Sequence, residues 1–127
     1  MTAATAAVVV ALALALWGSP ATASGAAPTA DAGGPYVIAE GDTLPLSASG
    51  STDPELDALT YAWDLDNDGF YDDATGENPV VAWSLLSSLG VDDDGVHTVA
   101  VQVDDGTSTS TDTASLTIAK DPCLQDL

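Results

Sequence analysis

Apolar and polar residues alternate in short runs along this chain after residue 33, and that alternation restricts it to β-structure. A period of two residues is typical of a strand with one buried face and one solvated face. Residues 59–65 and 110–118 both show it. In the clearest run, residues 96–103, the inward positions are Val99, Val101 and Val103. We expect a strand in each of these three segments.

Turn-forming residues separate the runs. Asp53-Pro54 lies inside a turn at residues 50–57, and Asp104-Asp105-Gly106 is a hairpin-type turn. Shorter extended segments are expected at residues 35–38, 43–49 and 80–83. Pro45 predicts an edge strand or a bulge, and residues 84–95 predict a loop with room for one helical turn. Short strands, frequent turns and no convincing helix predict an all-β sandwich of about seven strands.

The first thirty residues differ from the rest of the chain in composition, since none of them is charged and the first charged side chain is Asp31. An apolar run, Ala6 to Trp17, is followed by Gly-Ser-Pro and a small-x-small site that ends at Ala23. This order predicts a secretory signal peptide at residues 1–23, and therefore a secreted or cell-surface protein. An uncleaved membrane anchor is the alternative, since no Lys or Arg precedes the apolar run. The remaining segments are expected to be a linker at 24–30, the sandwich at 31–119 and a tail at 120–127.

The charge of the chain is extreme, with 20 acidic residues against one Lys or Arg and a net charge of -19. Nucleic acids and anionic membranes are excluded as partners because both require a basic face. A cation, a neutral polymer or a basic protein surface fits this charge. Disorder is excluded, since 46% of the residues are hydrophobic. Charge alone does not separate calcium dependence from a salt-adapted surface.

The strongest local motif is an acidic loop that directly follows the strand at 59–65. Alternating carboxylates, then a glycine, then a further carboxylate follow the ligand order of an oxygen-rich calcium loop. The predicted ligands are Asp64, Asp66, Asp68, the Phe70 carbonyl and Asp72. The motif departs from an EF-type loop at its twelfth position, Thr75, where Asp73 or Glu77 is a substitute. The alternative is a solvated acidic turn.

A second candidate site lies in the Asp-Pro turn. Asp53, Glu55 and Asp57 predict a second metal site, which Asp104 or Asp105 joins if the two loops meet at one end of the sandwich. A plain turn with flanking charges is the alternative. Among the aromatic residues, Tyr71 and Trp83 are candidates for binding sugar rings or a protein ligand, and Trp83 has the alternative role of closing the core.

Several motifs occur in order along the chain and together resemble the PKD domain, over roughly residues 30–119. They are Gly33-Gly34-Pro35-Tyr36, Glu40-Gly41-Asp42, Ser47-Ala48-Ser49-Gly50-Ser51-Thr52-Asp53-Pro54, Leu59-Thr60-Tyr61-Ala62-Trp63-Asp64 and Val99-Ala100-Val101-Gln102-Val103-Asp104-Asp105-Gly106. The resemblance implies an immunoglobulin-like β-sandwich without catalytic machinery, and a metal near Asp53, because some members bind calcium. The chain departs from the family where Trp63 to Gly69 replaces the usual Trp-Asp-Phe-Gly-Asp-Gly turn and where His97 replaces a tyrosine.

The sequence therefore predicts an exported, non-catalytic module that binds or spaces extracellular proteins or polysaccharides and is stabilised by Ca²⁺. The alternative is an accessory substrate-binding domain of a secreted hydrolase whose catalytic part lies outside this chain. An independent enzyme is not expected, because the single histidine, His97, has no nucleophile motif beside it. The lone Cys123 has no partner for an internal disulfide. We expect a monomer or one part of a larger chain.

Overall fold

Seven strands and one short helix follow one another along residues 25–120, the part of the chain that this computed structural model describes. The strands are β1 (Tyr36–Ala39), β2 (Leu44–Pro45), β3 (Thr60–Asp64), β4 (Ala74–Thr75), β5 (Val80–Val81), β6 (Gly95–Asp104) and β7 (Thr109–Ala119). The helix α1 (Trp83–Ser88) lies between β5 and β6. The all-β prediction is confirmed for this part of the chain.

The strands form two sheets. The larger sheet has five strands in the order β1-β7-β6-β3-β4, and the smaller one pairs β2 with β5. The centre of the larger sheet is the long β6–β7 hairpin, where Val101 lies opposite Asp112, and β3 pairs with the other edge of β6. β1 runs parallel to β7, with Tyr36 opposite Leu116, so the first and last strands are neighbours.

One apolar core lies between the sheets. The larger sheet contributes Trp63, Val99, Val101, Val103, Leu116 and Ile118, and the opposite side contributes Leu44, Leu46, Ala48, Val81 and Leu86. Trp63 is completely buried and donates its indole N–H to the Gly76 carbonyl at 2.9 Å. A buried indole needs such a partner, because an unpaired N–H inside the core is costly. The inward valines of β6 are placed as their alternation predicts.

The smaller sheet is shorter than the sequence predicts. The expected strand at 43–49 is reduced to two residues, although Leu44, Leu46 and Ala48 are buried as predicted. Beyond β2 the segment continues to pair irregularly, since Leu46 N–H donates to the Pro79 carbonyl at 2.9 Å. The expected strand at 80–83 ends at Val81, and Trp83 begins α1 instead. Each strand of a two-stranded sheet is an edge, which accommodates Pro45 as predicted.

The segment before β1 is fastened to the sandwich. Thr29, inside the predicted linker, exchanges backbone hydrogen bonds of 2.7 and 3.0 Å with Thr52. The predicted leader at 1–23 and the tail cysteine Cys123 lie outside the described residues. Between residues 25 and 120, no helix has the length and apolar character needed to cross a membrane.

Candidate functional site

The acidic loop after β3 is organised by the carboxylate of Asp64. This side chain is buried, and its two oxygens accept the backbone N–H groups of Asp68 at 3.2 Å and Gly69 at 2.9 Å. The sharp turn passes through Asn67 and Gly69, whose φ angles of 60° and 92° lie in the left-handed region that glycine and asparagine tolerate best. The loop therefore folds back over the Asp64 carboxylate.

Asp73 closes the loop from the other end. Its N–H donates to the Trp63 carbonyl at 3.0 Å, and its carboxylate accepts the Leu65 N–H at 2.6 Å. Asp64, Asp66 and Asp73 consequently offer carboxylate oxygens that lie within 4.8 Å of one another. Burial, followed by the charge of Asp73, raises the pKa of Asp66 above its usual value. We name this group the 64–66–73 cluster.

The predicted ligand set of this loop is only partly brought together. Asp64 and Asp66 are in the 64–66–73 cluster, whereas within the described residues Asp68 and Asp72 are not. The Asp68 carboxylate instead accepts the Phe70 N–H at 2.8 Å, and Asp72 is exposed. The physical reason is that Asp73 is held inward by its backbone bond to β3, which leaves its neighbour Asp72 facing solvent. Asp73 takes the place that the spacing assigned to Asp72.

The turn before β3 forms the second cluster, made of Asp53, Glu55 and Asp57. Asp53 is only 6% exposed, and its Oδ2 accepts the backbone N–H groups of Glu55 and Asp57, both at 2.9 Å. The Leu56 N–H donates to the Asp53 carbonyl at 3.1 Å, which tightens the turn. Carboxylate oxygens of the three acidic residues lie within 4.8 Å of one another. We name them the 53–55–57 cluster.

Asp105 from the β6–β7 turn lies beside this cluster. Its carboxylate accepts the backbone N–H groups of Thr107 and Ser108, both at 2.7 Å, and these bonds hold its pKa below the usual value. Burial raises the pKa of Glu55, and the charges of Asp53, Asp57 and Asp105 add to that rise. The two loops therefore meet at one end of the sandwich, with Asp105 as the shared neighbour. Asp104 instead accepts the Gly106 N–H at 2.6 Å.

Two carboxylate oxygens in the 53–55–57 cluster stand out. Asp53 Oδ1 and Glu55 Oε1 are buried and make no hydrogen bond to any described residue. A buried polar atom without a partner costs free energy, and such atoms in native proteins usually contact water or an ion. Calcium bonds to carboxylate oxygens at about 2.3–2.6 Å, which puts two ligands of one ion at most about 5 Å apart. The spacing and chemistry of the cluster fit this ion.

The predicted binding aromatics lie at two separate places. Phe70 is 69% exposed at the tip of the acidic loop, and the neighbouring Tyr71 is half-buried. Trp83 is also half-buried, and it packs against the core at the start of α1. The described geometry therefore gives Trp83 a packing role, which was the alternative for this residue, and leaves Phe70 and Tyr71 as the accessible aromatic pair.

The sequence spacing did not identify every member of these clusters. Asp73 was only a substitute for the twelfth loop position, and Asp105 was one of two conditional additions to the predicted set of Asp53, Glu55 and Asp57. Asp105 follows the predicted strand at 96–103, and Asp57 precedes the predicted strand at 59–65. Antiparallel pairing of these two strands, β6 and β3, places Asp105 and Asp57 at the same end of the sheet. That pairing signal requires the strand register, which composition and spacing do not give.

The chain is similar to known proteins in sequence and in structure. The family model described as PKD domain matches residues 25–119. No curated protein matches the chain. Among solved structures, the PKD domain of human KIAA0319 is similar, with 16% identity, a TM-score of 0.48, and coverage of 74% of this chain and 82% of that domain.

Two larger bacterial structures are also similar. One is a nucleoside hydrolase-related hypothetical protein from Saccharophagus degradans associated with carbohydrate metabolism, with 18% identity, a TM-score of 0.47, and coverage of 76% of this chain and 26% of that protein. The other is a quinonprotein alcohol dehydrogenase-like protein from Bacteroides thetaiotaomicron, with 9% identity, a TM-score of 0.43, and coverage of 70% and 20%. This chain thus spans about a quarter or less of either bacterial protein.

The family match extends over most of the chain, from the segment fastened by Thr29 to the end of β7. It contains both carboxylate clusters and all seven described strands. The ordered motifs that suggested the resemblance lie within the same span. The chain belongs to the PKD domain family.

Proposed function

We propose that this protein is an exported, non-catalytic module that contacts or spaces extracellular proteins or polysaccharides, and that calcium stabilises it. PKD domains are typically non-catalytic modules of extracellular proteins, which supports the coarse assignment. The net charge of -19 supports a role for a cation, because the carboxylates of a single small domain repel one another.

One observation carries the calcium part of the proposal. Asp53 Oδ1 and Glu55 Oε1 are both buried without a hydrogen-bond donor among residues 25–120, and they belong to carboxylates whose oxygens come within 4.8 Å of one another. In the same turn, Asp53 Oδ2 is fully occupied by two backbone N–H groups. In the turn, one carboxylate oxygen of Asp53 therefore accepts backbone N–H groups, and the other is left available as a ligand for a cation.

A calcium ion takes six to eight oxygen ligands, so the 53–55–57 cluster supplies only part of its shell. Asp57 provides a third carboxylate, and Asp105, whose charge acts on Glu55, is a candidate for a fourth. Water fills the remaining positions at exposed calcium sites. Magnesium is a poorer fit, since it holds its water tightly and prefers to bind through one or two carboxylates.

The 64–66–73 cluster is the second candidate cation position. Its carboxylates already accept several backbone hydrogen bonds, from Leu65 to Asp73 and from Gly69 to Asp64. Each carboxylate oxygen has two lone pairs, so these bonds leave room for a metal but reduce the need for one. We therefore assign the tighter site to the 53–55–57 cluster, in contrast to the sequence motif, which favours the acidic loop.

A cation in the 53–55–57 cluster would fasten the turn before β3 to the β6–β7 turn. Those turns lie at one end of the larger sheet, where Thr60 pairs with Asp104. Fastening loops at one end of a sandwich lowers their conformational freedom and fixes the position of whatever the loops contact. This stiffening is what a spacer or a docking module requires.

The test is direct calcium binding by isothermal titration of the purified protein, with Asp53→Asn as the diagnostic variant. Asp93→Asn is the matched control, because it removes the same charge from an exposed loop residue outside both clusters. We expect the wild type and the control to bind calcium alike and Asp53→Asn to lose the tighter site. Equal binding by all three proteins would refute this site.

A second function, as the accessory substrate-binding domain of a secreted hydrolase, rests on the accessible aromatic pair. Phe70 and Tyr71 project from a loop whose base is tied to β3 through Asp64 and Asp73. Aromatic rings on a rigid support can stack on sugars. Retention of the protein on insoluble polysaccharides, lost in Phe70→Ala and kept in Val37→Ala, would support this function; no retention would exclude those polymers as substrates.

A further inference from the structure

An open groove with a volume of about 800 Å³ runs beside the edge of the larger sheet. Leu59 and Tyr61 give it an apolar wall, Thr75 and Gly76 line it from the β4 side, and Asp57 and Glu77 supply carboxylates. We name this feature the β3-edge groove. It shares only Asp57 with the 53–55–57 cluster.

The groove lies where the edge of the sheet is left unpaired. The edge strand β4 covers only the Ala62–Trp63 part of β3, and the Gly76 N–H makes a further bond to the Tyr61 carbonyl at 3.1 Å. Alternate residues of an extended strand direct their backbone groups to the same side, so those of Leu59 face this edge too. Within residues 25–120, the Leu59 N–H and carbonyl make no hydrogen bond.

The Leu59 N–H and C=O offer an additional strand one pair of backbone hydrogen bonds, because the Tyr61 carbonyl is bonded to Gly76 and the Asp57 N–H to Asp53. Unpaired N–H and C=O groups on a sheet edge bind extended peptides in many recognition domains, where the backbone supplies affinity and side-chain pockets supply selectivity. The apolar wall at Leu59 and Tyr61 gives the incoming chain a surface to cover. The groove is therefore shaped for a strand-like ligand.

The charge of the groove selects the side chains of that ligand. The carboxylate of Glu77 is held in place, because the Tyr61 hydroxyl donates to it at 3.3 Å and the Asn78 amide donates to it at 3.2 Å. Its backbone is fixed as well, since its carbonyl accepts the Ala48 N–H at 2.8 Å. The chain carries a single Lys or Arg, so it supplies almost no cation of its own to such sites.

We propose that the β3-edge groove binds an extended, basic segment of a partner protein. The segment pairs its backbone with the Leu59 edge and lays a Lys or Arg stem along Tyr61, with its cationic head at Glu77, the groove carboxylate that the proposed calcium site does not use. The inference deepens the proposed role as an interaction module by naming the class of partner, and it does not require calcium.

A neutral polysaccharide fits the groove less well. Sugar rings bind on open aromatic faces, whereas Tyr61 is half-buried and its hydroxyl is engaged with Glu77. A polysaccharide also has no backbone N–H and C=O ladder to pair with Leu59. The observations therefore favour a peptide as the ligand. The test must distinguish peptide binding from binding of a sugar polymer in the groove.

The probe is a short, capped peptide that alternates lysine with threonine, titrated into the purified protein at about 0.15 M salt to screen diffuse attraction. We expect the wild type to bind it and Glu77→Gln to bind about two- to fivefold more weakly, the range for an exposed ion pair. Asp93→Asn, which removes the same charge outside the groove, should bind like the wild type. A peptide methylated on alternate backbone nitrogens should lose binding, because strand addition needs those N–H groups.

Three results would overturn the inference. Equal weakening by Glu77→Gln and Asp93→Asn would mean diffuse charge attraction, and full binding of the methylated peptide would mean that no strand is added. Retention on a neutral polysaccharide that Glu77→Gln abolishes, without peptide binding, would make the groove a sugar site. Each titration is run with calcium and with chelator, so a failed peptide test and a failed calcium test are distinguished.

Discussion

The Oδ2 atom of Asp53 accepts the backbone N–H of Asp57 at 2.9 Å, while the Oδ1 atom of the same carboxylate is buried and makes no hydrogen bond within residues 25–120. One side chain thus both shapes the turn and presents an unused oxygen. Because Glu55 Oε1 is in the same situation, the turn contains two buried carboxylate oxygens with no hydrogen-bond partner among the described residues. This relationship connects the fold to the proposed calcium site.

Stability without calcium should fall as the pH rises. Burial and neighbouring carboxylates raise the folded-state pKa of Glu55 above 4.5 and that of Asp66 above 3.8, so the native state holds these protons longer than the unfolded chain. The stability that this protonation supplies is complete below those values and is lost as the pH passes the raised folded-state pKa. The pKa of Asp105 is lowered below 3.8, so its contribution to stability has the opposite pH dependence and is lost only as the pH falls through that lowered pKa.

The measurement is the free energy of unfolding in urea from about pH 4, below the ordinary value of 4.5 for Glu55, to about pH 7.5 in calcium-free buffer. Glu55→Gln should flatten the decline, whereas Glu40→Gln, which removes the same charge outside both clusters, should leave the slope as in the wild type. A free energy of unfolding that rises with pH across this window would contradict the raised pKa values of Glu55 and Asp66.

Tyr36→Phe should destabilise the domain by about 1–2 kcal/mol. The Tyr36 hydroxyl donates to the Ala32 carbonyl at 2.6 Å and accepts the Ser47 N–H at 3.0 Å, so its removal leaves two backbone groups without this partner. Tyr71→Phe is the matched control, since the Tyr71 hydroxyl makes no hydrogen bond among residues 25–120 and should change stability little. Urea unfolding of both variants distinguishes them, and equal effects would show that the Tyr36 bridge does not stabilise the fold.

Val101→Ala should cost about 2–3 kcal/mol, from lost apolar burial and the cavity left behind. Val101 is 0% exposed, whereas Val37 on the same sheet is 70% exposed. Val37→Ala makes the same chemical change and should remain within about 0.5 kcal/mol of the wild type. The melting temperatures of the two variants report which face of the sheet is buried; a larger loss for Val37→Ala would reverse the core assignment.

Much of the fold could be predicted from the sequence, because its long strands repeat one simple pattern. The inward valines of β6 and the buried Leu116 and Ile118 of β7 lie where alternation places them. The two-residue strand β4 was missed, since so short a strand shows no period and its segment reads as an acidic loop. The end of β5 at Val81 was missed too, because Trp83 suits a strand as well as the start of a helix.

The candidate site was harder to predict than the fold. Spacing alone identifies carboxylates that can share a cation, but hydrogen bonds decide which oxygens converge, as the exchange of Asp72 for Asp73 shows. Tyr61 and Glu77 meet only because β4 turns back along β3. Such contacts depend on strand register, and a one-residue shift in register would place different side chains there.

The most direct test of the proposed calcium site is a thermal melt of the wild type and of Asp53→Asn, with calcium titrated against chelator at low and high sodium chloride. Saturation at about a hundred times the dissociation constant stabilises a protein by about 2.7 kcal/mol, which corresponds to a rise of roughly 10 °C or more for a domain of this size. We predict that rise for the wild type with calcium but not with magnesium or sodium, and its loss in Asp53→Asn. Equal stabilisation by any salt, unchanged in Asp53→Asn, would contradict a specific calcium site and leave the carboxylates as a salt-adapted surface.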